Sequence, residues 1–74
     1  MVKLYITFGQ FHTHSHNGIT LDKDCVGVIK AKTYSEARDL AFEWFDGVFA
    51  TTYTENKVDE EFMKWFPRGI VKLN

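Results

Sequence analysis

Residues 9–22 read Gly9-Gln10-Phe11-His12-Thr13-His14-Ser15-His16-Asn17-Gly18-Ile19-Thr20-Leu21-Asp22. The Asn17-Gly18 pair decides the fold. A two-residue type I′ turn needs positive φ at both central positions, and Asn-Gly meets that need best. On its N-terminal side, Val2, Leu4, Ile6 and Phe8 alternate with Lys3, Tyr5 and Thr7, the period of a half-buried strand. On its C-terminal side, residues 24–31 are rich in β-branched residues and read as a second strand. A turn at Asn17-Gly18 sets Leu4 opposite Ala31, Ile6 opposite Ile29, Phe8 opposite Gly27 and Gln10 opposite Cys25. One face is then mostly apolar and the other mixed, and a slip of one residue destroys the separation. Turn chemistry and hydrophobic pattern therefore agree on one long hairpin from Val2 to Ala31, with Gly9 as a place for a bulge.

Working outward, residues 33–46 predict a helix. Thr33 and Glu36 have capping-box spacing. Ala37, Leu40, Ala41, Trp44 and Phe45 form its apolar stripe, and Gly47 ends it. Residues 48–54 return as a strand, placed by a right-handed crossover beside the first strand and parallel to the second. Residues 59–66 predict a short helix with Asp59, Glu60 and Glu61 at its favourable end, stopped by Pro67. Residues 70–73 close as a strand. The expected fold is α+β, in the order β-β-α-β-α-β, with a small mixed sheet built on the long N-terminal hairpin and both helices packed on one face.

The 74 residues fit one domain, residues 1–74. A chain this short buries only about 60–65% of its unfolded surface. A hydrophobic content of 45% and an aromatic content of 16% are nevertheless enough for a core. Little room is left for a deep substrate cleft, which points away from an enzyme. The net charge of −1, with acids and bases interspersed, argues against a phosphate-backbone binder. A single cysteine excludes an internal disulfide. No signal peptide or membrane-length apolar run is apparent, so the expected location is the cytoplasm, with no membrane partner.

The first helix spans roughly 20 Å, a length that a strand covers in about six residues. It cannot cover a straight hairpin to its tip, so the tip is expected to project as an arm. Phe11, His12, His14, His16, Ile19 and Leu21 are the candidate partner-binding residues on that arm. The partner is either another protein or a second copy of the chain.

His12, His14 and His16 alternate, so their side chains share one face about 6–7 Å apart. That spacing lets His12 and His14 share a zinc ion, with a third ligand from Gln10, Cys25 or another chain. Histidines packed beside Ile19 and Leu21 without a metal are the plainer reading, with no cofactor. His12-Thr13-His14 also matches half of a two-histidine phosphoesterase signature, but no histidine occurs outside the segment to supply the other half. Cys25, mid-strand, reads as a buried thiol rather than a nucleophile. Tyr5 and Phe11 on an open sheet face offer stacking platforms for single-stranded nucleic acid, an alternative weakened by Asp22 and Asp24. Among the helix aromatics Trp65 is the one expected at the surface.

The segments Tyr5-Ile6-Thr7-Phe8-Gly9-Gln10 with His12 and His14, Asp22-Lys23-Asp24-Cys25-Val26, Ser35-Glu36-Ala37-Arg38 and Phe66-Pro67-Arg68-Gly69 resemble small uncharacterised proteins encoded by phages and prophages. The resemblance runs over most of the chain and carries no activity onto particular residues. What it implies is context: a small viral protein that binds and inhibits a component of its host, including defence systems such as CRISPR.

Overall fold

The computed structural model describes residues 1–9, 13–16, 18–47 and 49–74. Among the described residues six strands and two helices follow in order: β1 (Val2–Thr7), β2 (His14–His16), β3 (Ile19–Leu21), β4 (Cys25–Ala31), α1 (Tyr34–Phe45), β5 (Thr51–Thr54), α2 (Glu60–Met63) and β6 (Gly69–Lys72). A short 3-10 turn, Glu55–Lys57, leads from β5 towards α2. The main sheet is mixed, in the order β5-β1-β4-β6, and β2-β3 form a separate two-stranded ribbon. The class is α+β, as the sequence patterning predicts.

The expected single hairpin is broken in two. At the tip the predicted register holds, with His14 opposite Leu21, Ser15 opposite Thr20 and His16 opposite Ile19. Asn17 lies outside the described residues, and Gly18 has the positive φ of 79° that the turn asks of it. Deeper in, β1 and β4 have slid by two residues: Leu4 faces Ile29 and Ile6 faces Gly27. More residues separate Thr7 from His14 than separate Leu21 from Cys25, so one continuous ladder cannot form. A slide of two leaves every side chain on its predicted face, which is why the apolar separation survives it.

One face of the sheet buries Leu4, Ile6, Phe8, Cys25, Ile29 and Ala31 against Ala37, Ala41 and Phe45 of α1. The helix starts where predicted. The Thr33 hydroxyl accepts from the Glu36 N–H at 3.1 Å, while the Glu36 carboxylate reaches back to the Lys32 N–H at 3.3 Å. It ends on Asp46, with φ of 52°, followed by Gly47. As expected, β5 lies beside β1, antiparallel to it and hence parallel to β4.

The expectation of both helices on one face is corrected. The opposite face carries Tyr5, Val26 and Val28, covered by Tyr53, Val58, Phe62, Met63 and Phe66. The second helix and its flanking turns therefore pack on the side away from α1. The signal is in β4, where Val26 and Val28 alternate with Cys25, Gly27 and Ile29. The run from Cys25 to Ile29 is apolar at every position, the mark of a strand buried on both faces.

Gly27 shows how tightly the α1 side is filled. A Cβ at that position would lie 2.7 Å from Leu73 Cδ1 and 3.3 Å from Phe8 Cζ. Both neighbours are buried, so neither side chain can swing clear. Gly27→Ala is therefore expected to destabilise the fold by about 1–3 kcal/mol through overpacking, read as a lowered urea midpoint.

Candidate functional site

The hairpin tip does not project. The β2-β3 ribbon lies over the C-terminal turn of α1. Leu21 is fully buried in the α1-side core, so its expected role at a partner surface is corrected. His14 lies against Phe8 and Phe45, at ring-centroid distances of 5.9 and 5.2 Å. His16 stacks on Trp44 at 4.6 Å, and its Nε2 donates to the Leu73 carbonyl at 3.1 Å. Only a straight hairpin would overhang α1; here the ribbon lies back on the helix, with His14 against Phe45 and His16 against Trp44. Ile19 alone of the described candidates stays exposed, at 38%. Phe11 and His12 lie outside the described residues, as does Gln10.

Among the described residues no group of three His, Cys, Asp or Glu side chains is placed to hold a metal ion. The zinc pair named from the sequence includes His12, outside that set, and His14, whose ring packs against two phenylalanines. Tyr5 is not on an open face. It is buried beneath the cover supplied by Tyr53, Val58 and Phe62, which removes it as a stacking platform for bases.

The turn from β3 into β4 is held by Asp22. Its Oδ1 accepts from the Asp24 N–H at 3.0 Å and pairs with Arg68 Nη1 at 3.2 Å. The Arg68 N–H in turn donates to the Asp24 carbonyl at 2.8 Å, which leads the chain into β6 alongside β4. The bond from the Asp24 N–H lowers the Asp22 pKa, and Arg68 adds to that effect against the opposing cost of desolvation. Next to it Cys25 is fully buried, and burial pushes its thiol pKa up. The thiol donates to the Asp22 carbonyl at 3.5 Å and is buried, as its place in the strand suggested.

Beside this turn lies a cleft of about 300 Å³, lined by Thr7, Gly9, Lys23, Asp24, Ala50, Trp65 and Phe66. Its aromatic wall follows from the α2 segment. Asp59 caps the helix by accepting from the Phe62 N–H at 2.9 Å. Phe62, Met63 and Phe66 then turn inward onto Tyr5 and Val28. Trp65 falls on the outer side of that turn and is 79% exposed. Lys23 and Asp24, an exposed ion pair at 3.7 Å, supply the polar rim. The Thr7 hydroxyl is committed to the Thr51 carbonyl at 3.4 Å. Such a site suits an apolar or aromatic group more than bond-making chemistry. The sequence marked Trp65 as surface-exposed but could not place Lys23 and Ala50 beside it, because they come from loops remote in the chain.

No protein family matches the chain, and neither a curated protein nor a solved structure matches it. None of the helices among the described residues is long and apolar enough to cross a membrane.

Two outcomes test this geometry. His16→Ala removes the stack on Trp44 and the bond to Leu73, and is expected to cost about 1–2 kcal/mol in urea unfolding. For Asp22, the folded pKa is depressed below 3.8, so its stabilisation is present above that pH and is lost as pH falls through the folded value. Asp22→Asn should therefore lower Tm relative to the parent protein at pH 7, with the gap closing well below pH 3.8.

Proposed function

We propose that this chain is a protein-binding module and not an enzyme, and that it docks its partner through the Trp65-walled cleft. The exposed indole of Trp65 beside that cleft carries the reading. Tryptophan is the residue most enriched among binding hot spots, and it is most effective next to a pocket that a partner side chain can fill. The cleft's volume of about 300 Å³ is at the low end for small-molecule sites and suits one inserted side chain. Among the described residues of the hairpin tip, Ile19 also stays exposed.

In the phage setting that the sequence resemblance suggests, the partner is a host protein in the cytoplasm, and inhibition of a defence component such as CRISPR is one form of this function. The mechanism is occlusion: the partner's own working surface is covered when a side chain seats against Trp65. Zinc and single-stranded nucleic acid have no comparable support among the described side chains.

A photo-crosslinking residue placed at position 23, on the exposed rim of the cleft, with position 39 on the outer side of α1 as control, identifies the partner in host extract. Trp65→Ala is then expected to weaken binding of the purified partner by roughly thirtyfold or more, the scale of a hot spot. Its Tm should stay close to that of the parent, since the side chain is exposed. A partner that binds Trp65→Ala as tightly as the parent protein rules out the cleft.

A further inference from the structure

The two outermost strands of the main sheet are β5 and β6, and they are built differently. β6 carries Lys72 and is preceded by Pro67-Arg68. Beyond it the Asn74 side chain closes on Lys30, accepting from its N–H at 2.9 Å and donating to its carbonyl at 2.8 Å. Lysine and proline are among the devices that keep sheet edges from pairing. β5 has none of them. It reads Thr51-Thr52-Tyr53-Thr54, uncharged and of high strand preference, and Phe49-Ala50 before it are uncharged too. Its inner side is paired with β1 from Thr51 to Thr54, and its outer side is the end of the sheet.

We propose that β5 pairs antiparallel with β5 of a second copy of this chain across a twofold axis, joining the two sheets into one. A twofold axis perpendicular to a sheet keeps each side chain on its own face, so the pairing must centre on a residue opposite its own copy. Two registers centre on an interior residue of the strand, Thr52 or Tyr53. Centring on Thr52 sets Tyr53 against Thr51. Centring on Tyr53 sets Tyr53 against the second copy's Tyr53 and Thr52 against Thr54, and brings Thr51 beside Glu55, the first residue of the 3-10 turn, whose carboxylate lies 3.9 Å from Lys3 Nζ. The second register makes an aromatic cross-strand pair, among the favourable ones in sheets. Tyr53 is half-buried, with its ring in edge contact with Phe62 at 4.8 Å, so it is held in place at the edge while part of it stays open. No like charges meet in this register, since Glu55 falls opposite a threonine. A net charge of −1 opposes the approach of two copies very little.

The register supplies its own test. Thr51 is exposed, so substitutions there leave the fold intact. Sedimentation velocity over a concentration series should show a reversible dimer of the parent protein. Thr51→Glu, which faces Glu55 twice per dimer, should raise the dimer Kd by roughly two- to thirtyfold. Thr51→Lys should lower it, and Thr51→Glu combined with Glu55→Lys should return it towards the parent value. Trp65→Ala should leave it unchanged, which separates this interface from the cleft. A parent protein that stays monomeric up to about 1 mM, or a dimer indifferent to Thr51→Glu or dissolved by Trp65→Ala, overturns the proposal. Capture of another protein's strand on β5 by such a monomer has the same force.

Discussion

The structure depends on burying β4 on both of its faces. Cys25, Gly27, Ile29 and Ala31 point to α1, and Val26 and Val28 point to the α2 segment. A small domain has few residues with which to exclude water, so using one strand twice nearly doubles what it contributes. The remaining elements follow from this. β1 and β6 must flank β4 to satisfy its backbone, and each face then needs its own cover. α1 supplies one cover. The other is assembled from pieces: Tyr53 from β5, Val58 after the 3-10 turn, and Phe62, Met63 and Phe66 around α2. Because that cover is short and irregular, it leaves Trp65 outside and a cleft beside it.

The histidine run shows how a conspicuous motif can be absorbed by packing. Alternation puts His14 and His16 on one side of the ribbon, and that side meets the aromatic end of α1. An imidazole is flat and amphipathic, well suited to lie against Trp44 while its nitrogen serves a backbone carbonyl such as that of Leu73. The open surface lies instead on the opposite side of the sheet, at the cleft beside Trp65. There an apolar group is left open rather than used internally. The cleft and the unguarded β5 edge meet near Ala50, but they rest on separate observations: an exposed indole for the first and an uncharged, self-compatible strand for the second.

Much of the fold was legible in the residue order. Period-two alternation located β1, Asn17-Gly18 located the ribbon turn, and Thr33 with Glu36 located the start of α1. These signals are local, set by turn geometry and by capping of backbone groups within a few residues. The candidate site was far less legible. Trp65 could be marked as outward from its helical position, whereas Thr7, Lys23 and Ala50 reach it from three separate parts of the chain.

What the sequence determined by itself was therefore the type and order of the elements and the face on which each β1 and β4 side chain lies. Parity along a strand survives a two-residue slide, so even the shifted register preserved it. Only the tertiary structure decided that the hairpin breaks and folds back, that the two helices take opposite faces, and that Leu21 is core while Trp65 is surface. Those outcomes turn on which distant groups compete best to cover the same apolar area. That competition is settled by the whole packed chain and is written in no single stretch of it.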